Sequence, residues 1–133
     1  MFGEYTRIKT TQVAAHRAAI AAEQGGRCAL CQGRLGVRPP LDPVLDHDHR
    51  TGAVRGVLHR GCNSLLGHTE NNAPRYGVSD RLVQFAAGLA AYIRKHEENI
   101  TGLIHPTFKT EDEKRLLRNK RARAARAKKK EQV

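Results

Sequence analysis

The stretch Asp46–Asn63, DHDHRTGAVRGVLHRGCN, decides how this chain is read. It sets two aspartates and two histidines in four consecutive positions and ends on a cysteine followed at once by an asparagine. Such a run can hold one structural metal, or it can divide its donors between a structural metal and a hydrolytic one. The residues on either side separate the two cases.

Upstream stands Cys28-Ala-Leu-Cys31, and after 27 intervening residues His59-Arg-Gly-Cys62 repeats the two-residue gap. Three thiolates and one imidazole at that spacing match a closed tetrahedral zinc site, which contributes folding energy directly. The bland reading makes His59 an ordinary strand-end residue and the cysteines small buried hydrophobes. A redox role for the CxxC pair lacks the βαβ pattern that would surround it. Three cysteines cannot all pair as disulfides, so Cys28, Cys31 and Cys62 read as reduced ligands of one structural Zn²⁺ per chain.

Size supports that reading. A chain of 133 residues makes one domain, and with no Trp, 3 Phe, 3 Tyr and 12 Gly its interior is thin. So small a core calls for a staple such as a metal or a partner chain. Arg118–Lys130, RNKRARAARAKKK, carries 8 basic residues and no acid, so the packed body is expected to end near residue 108. The net charge of +11 points to a polyanionic partner. No apolar run approaches the roughly 18 residues of a membrane span, and the N-terminus has no signal-peptide apolar region; the expected location is cytoplasmic.

Along the chain, Thr10–Gln24 predicts a helix capped by Thr10 and stopped at Gly25-Gly26, with Val13, Ala14, Ala18 and Ala21 as its apolar face. Gly33–Pro43 predicts a loop. PVLDHDH and AVRGVLH predict a hairpin around Arg50-Thr51-Gly52, followed by a short helix from about Gly61 to Leu66 and a loop over residues 67–78. Ser79 then predicts the cap of a helix over residues 79–98, with Leu82, Phe85, Ala86, Leu89, Tyr92 and Ile93 at helical spacing. That stripe serves either the core or a dimer contact. Residues 99–133 read as linker and basic tail, helical at most when bound.

With zinc assigned, Asp46, His47, Asp48, His49 and Asn63 are left over. A polar hairpin edge accounts for such residues often enough. Asn63 weighs against it: a zinc clamp fixes the hairpin and the next helix together, so Asp46 and Asn63 can offer oxygens to one hard cation such as Mg²⁺. Asp46 and His47 would point to opposite faces of a regular strand, so a bend or bulge is expected there.

The combination CxxC, LDHDH, a Thr-Gly turn, VRGVL, HxxCN and LLG, over about Arg27 to Gly67 and more loosely to Tyr92, resembles the phage recombination endonuclease VII family within the HNH or ββα-metal nucleases. One departure is His59, where that family usually has a fourth zinc cysteine. The resemblance implies a small α+β fold: a zinc-stabilised ββα-metal (His-Me finger) core over residues 27–78, flanked by an N-terminal helix (1–26), a packing or dimerisation helix (79–98) and the basic tail (99–133). It also implies a phage-encoded enzyme of the host cytoplasm.

By matching positions, the resemblance makes Asp46 and Asn63 ligands of a catalytic Mg²⁺, for which Mn²⁺ is an expected substitute. His47 becomes the general base, with His49 and Arg55 holding the scissile phosphate or orienting His47. The expected chemistry is hydrolysis of DNA to 5′-phosphate and 3′-hydroxyl ends, on branched DNA such as Holliday junctions and by a homodimer. Arg118, Lys120, Arg121, Arg123, Arg126, Lys128, Lys129 and Lys130 are the expected phosphate contacts of the tail. The alternatives are a nicking or homing-type HNH endonuclease on duplex DNA, and a zinc-stabilised nucleic-acid-binding module without catalysis, which would need neither His47 nor Asn63.

Overall fold

The computed structural model describes residues 4–36 and 42–131. A 3-10 turn at Thr10–Gln12 leads into α1 (Val13–Glu23); β1 (Val44–His47), β2 (Val54–Leu58) and α2 (Arg60–Asn72) follow. A second 3-10 turn, Ser79–Arg81, opens α3 (Leu82–Lys95), and α4 spans Glu111–Glu131. The fold is small α+β, and the chain divides into two compact units, Met1–Ala86 and Ala87–Val133. Residues 37–41 of the expected proline loop, and the last two of the tail, lie outside the described residues.

The first unit is built on the hairpin. β1 and β2 pair antiparallel, with Val44 opposite Leu58, Leu45 opposite Val57 and Asp46 opposite Gly56. His47 then pairs with Val54, so Arg55 is an extra residue on β2. The expected irregularity at Asp46/His47 is present, and the surplus residue belongs to the partner strand. Within β1 the pleat still alternates, Asp46 being buried and His47 exposed. The turn is an Asx-turn: Asp48 Oδ1 accepts the N–H of Arg50 at 2.7 Å and of Thr51 at 3.3 Å.

α1 packs on the hairpin, chiefly on β2. It ends as expected, with Gly25 and Gly26 at φ +67 and +71, where a side chain would be strained. Its start differs: the Lys9 N–H bonds Gln12 Oε1 at 2.8 Å, and Thr10 does not cap. The inward stripe is Val13, Arg17, Ile20, Ala21 and Gln24, while Ala14 and Ala18 are exposed. The larger side chains and the aliphatic stem of Arg17 cover more apolar surface than alanines can. Gln24 does more than end the helix. Its amide accepts from Val57 N–H and donates to Val57 carbonyl, both at 2.8 Å, and Ala29 N–H reaches that carbonyl at 3.2 Å. The free edge of β2 is closed this way. A Cβ on Gly56 would stand 3.0 Å from Gln24 Oε1, which accounts for the glycine beside Val57.

The core is as thin as the composition implies: among the described residues Cys28, Val57, Leu58 and Ala73 are the buried apolar ones, joined by Asp46. Helix α2 runs six residues past Leu66, correcting the expected loop from 67. Gly67 does not stop it, because glycine keeps its backbone N–H and C=O and weakens a helix interior by only about 1 kcal/mol; further on, the side chains of Thr69 and Asn72 donate to the carbonyls of Leu65 and His68 at 2.8 Å. Ser79 lies inside the 3-10 turn, with no side-chain cap at its start, and α3 ends at Lys95. Phe85, Leu89, Tyr92 and Ile93 are 41 to 67% exposed, so the stripe of α3 does not form core. The tail is helical as α4, with Glu111, Asp112 and Glu113 in its first turn and Lys128, Lys129 and Lys130 in its last, the charge order a helix dipole favours. Among the described residues no helix is long and apolar enough to cross a membrane.

Candidate metal centre and active site

Cys28 and Cys31 sit on the tight turn after α1. Cys28 N–H bonds Gly33 carbonyl at 2.9 Å, and Gln32 takes φ +62 to close the knuckle. His59 ends the hairpin, and Cys62 lies in the first turn of α2. One donor atom from each of Cys28, Cys31, His59 and Cys62 lies within 4.8 Å of every other, and among the described residues these four form the group that could hold a metal ion. His59 Nδ1 stands 3.2 Å from Cys31 Sγ and 4.0 Å from Cys62 Sγ. Ligands at about 2.0–2.3 Å from a tetrahedral ion stand nearly that far apart.

The donors fit zinc in chemistry too. Burial pushes the Cys28 thiol up, but the N–H groups of Cys31, His59 and Leu30 outweigh it and bring it down to about 6. Burial, then the thiols and charges of Cys31 and Cys28, push Cys62 up to about 12. The cluster cannot hold all its negative charge unaided; a soft dication relieves that conflict. His59 is braced from behind. Its Nε2 meets Arg34 carbonyl at 2.8 Å, with Asp42 Oδ2 at 3.9 Å, leaving Nδ1 facing the sulfurs. Asp42 also accepts the N–H of Arg60 at 2.8 Å, satisfying a donor at the start of α2. Arg34 carbonyl raises His59 most, followed by Cys31 and Asp42, to about 9.

β1 packs against α2, the two elements that carry Asp46 and Asn63. Asp46 is 6% exposed, and Asn63 is half-buried in the first turn of α2. Both oxygens of Asp46 are taken by Arg55: Nε to Oδ2 at 2.7 Å and Nη2 to Oδ1 at 3.1 Å. The other edge of the same guanidinium forks onto Glu70 of α2 at 2.5 and 3.2 Å. Glu70 first, then Asp46, raise the already high pKa of Arg55. His47 is exposed, and its ring stacks on exposed His49 two residues on, with centroids 4.8 Å apart and a 31° tilt. Asp48 serves the turn, and the N–H of Arg50, foremost among its partners, lowers its pKa.

Cys28, Cys31, His59 and Cys62 are thus brought together, as are Asp46 with Arg55 and His47 with His49. The basic residues 118–130 lie on exposed α4 in the other unit. The sequence reading missed Gln24, Asp42 and Glu70. Glu70 was legible in principle, since it lies seven residues after Asn63, two turns along one helix face, but only if α2 is extended past Gly67.

Residues 4–95 match the model of the family described as recombination endonuclease VII. Two curated relatives are similar over a shorter stretch. The Gene 59 protein of Mycobacterium phage D29 is 50% identical over 48 residues, 36% of this chain and 28% of that protein. The Gene 59 protein of Mycobacterium phage L5 is 52% identical over 40 residues, 30% of this chain and 23% of that protein. The matched stretch therefore spans about a quarter of the length of these relatives. The family match takes in both knuckles, the bulged hairpin, α2 and α3, and so covers everything built above except the basic helix: the chain belongs to the recombination endonuclease VII family.

Proposed function

We propose that this chain is a divalent-cation-dependent endodeoxyribonuclease with a ββα-metal core, acting on branched DNA in the host cytoplasm. The family match supports endonucleolytic chemistry on DNA. The observation that carries the site is the clamp of Cys28, Cys31, His59 and Cys62, which ties the end of the hairpin to the start of α2 and so fixes Asn63 relative to the strand bearing Asp46.

Asp46 and Asn63 fit a hard cation as oxygen donors, and the Asp46 carboxylate already faces one positive charge, the guanidinium of Arg55. When bound there, Mg²⁺ supplies charge neutralisation at the phosphate and at the departing 3′ oxygen. His47, exposed at the strand end, accepts a proton from the attacking water, and His49 restricts its ring by stacking. The resulting ends are 5′-phosphate and 3′-hydroxyl. The basic residues of α4, from Arg118 to Lys130, bind phosphates without reading sequence.

Resolving a junction takes two symmetric cuts, and the exposed face of Phe85, Leu89 and Ile93 on α3 is the surface we assign to a homodimer. One observation favours the rival reading, a DNA-binding module without catalysis: Arg55 engages both oxygens of Asp46. Zinc-loaded protein incubated with Mg²⁺ and matched linear, nicked, mismatched or four-way-junction DNA decides among these. Paired cuts on junctions support the proposal, single nicks on linear duplex favour a nicking enzyme, and binding without cleavage establishes the module.

A further inference from the structure

Arg55 is the bulged residue of β2, and its guanidinium spans two carboxylates on different elements, Asp46 of β1 and Glu70 of α2. A plain arginine-carboxylate pair needs no second acid. Two forks on one guanidinium leave Arg55 bound whichever carboxylate lets go. The two ends also differ in setting: Asp46 is buried, while the side chains of Arg55 and Glu70 are 32% and 31% exposed. A buried carboxylate deprived of its cation is costly, so Asp46 retains a positive partner until another replaces it.

From this geometry, and resting on the reading of Asp46 as a cation ligand, we propose that Arg55 is a latch that a divalent cation displaces from Asp46, with Glu70 the positioning residue that retains it. Without the cation, Arg55 neutralises Asp46 and holds the site closed. On displacement the guanidinium stays tethered to α2 by Glu70, beside Asp46, where its freed N–H groups can meet a phosphate. The bulge matters because it frees Arg55 from strict cross-strand pairing and allows its side chain to turn toward α2.

The test is Mn²⁺ binding to the zinc-loaded full chain without DNA, followed by the paramagnetic resonance of free Mn²⁺. Arg55→Gln removes the competitor and should tighten Mn²⁺ binding about tenfold; Glu70→Gln leaves Arg55 to Asp46 alone and should weaken it about fivefold. In an Arg55→Gln background, Glu70→Gln should shift binding by less than about twofold, because Glu70 acts through Arg55. An equal Glu70 effect in both backgrounds means that the carboxylate acts by charge alone, and it overturns the proposal. So does unchanged or weaker Mn²⁺ binding in Arg55→Gln. Should that variant lose its zinc or its helical signal, Arg55→Met serves instead: it keeps an unbranched apolar stem but carries no charge to compete for Asp46, so Mn²⁺ should still bind more tightly than to wild type, and unchanged binding contradicts the latch. Asp46→Asn separates the two levels of the argument. Wild-type Mn²⁺ binding in that variant removes Asp46 from the cation site, whereas lost binding there with no Arg55 effect removes only the latch.

Discussion

Nε2 of His59 lies 2.8 Å from the carbonyl oxygen of Arg34, so the ring presents Nδ1, its nitrogen nearer the backbone, to the cysteine sulfurs. Nδ1 has nearly the reach of a cysteine Sγ, so His59→Cys should hold zinc. Gly33 lies against the same ring: a Cβ there would stand 3.1 Å from His59 Cε1 and 3.4 Å from Cys31 Sγ. Gly33→Ala should therefore cost on the order of 1–3 kcal/mol by overpacking. That cost should shrink when His59→Cys removes the ring, a non-additivity readable by chelator competition and thermal melts of the four proteins.

Zinc binding should release protons. Near neutral pH, His59, raised to about 9, and Cys62, pushed up to about 12, both carry protons in the metal-free cluster, whereas Cys28, lowered to about 6, is already largely thiolate. Both raised groups must deprotonate to ligate, so at least two protons leave per zinc. Apparent zinc affinity should then rise by at least about 100-fold for each pH unit between 6.5 and 7.5. Chelator competition at the two ends of that range checks the slope. Removing zinc, or Cys31→Ser, should unfold the hairpin and the start of α2 rather than merely slow the enzyme, as loss of the protein's cooperative melt would show.

Gln24 supplies a third test. Gln24→Ala strips the partner from Val57 N–H, whose residue is 0% exposed, and should cost about 1–3 kcal/mol. Gln24→Glu keeps the acceptor but loses the donor to Val57 and Arg27 carbonyls, and should fall at least as far. Urea unfolding of zinc-loaded protein measures both.

What the sequence made legible was mostly local. Ligand spacing located the cluster of Cys28, Cys31, His59 and Cys62, Gly25 and Gly26 located the end of α1, and the strand-turn-strand pattern located the hairpin. The need to bring Asp46 and His47 to one phosphate pointed to an irregular ladder, although pairing, not composition, decides that the extra residue is Arg55. Gln24, Asp42 and Glu70 stayed hidden because each acts across the fold: on Val57, on Arg60, and on Arg55. No periodicity marks a side chain whose partner lies 15 to 33 residues away. The face of α1 was misread for a related reason, since alanine tracts look apolar on every side and the larger residues between them decide which way the helix turns.

The face of α3 should govern association, not folding. Leu89 is 41% and Ile93 57% exposed, so Leu89→Glu with Ile93→Lys should leave zinc content and the thermal midpoint nearly unchanged. In sedimentation the variant should run as a monomer where wild type runs as a dimer, and on junction DNA it should nick one strand at most. Wild-type protein that stays monomeric both free and on junction DNA contradicts the paired-cut account.

The most direct test of the central claim is cleavage of a four-way junction by His47→Ala with Mg²⁺ at saturating protein. His47 is exposed and has no part in the zinc cluster or the core, so its loss should leave zinc content, stability and junction affinity at wild-type values. Cleavage should nevertheless fall by about 10² to 10⁴, as expected for loss of a general base. A His47→Ala protein that binds and cuts the junction at the wild-type rate would contradict the account.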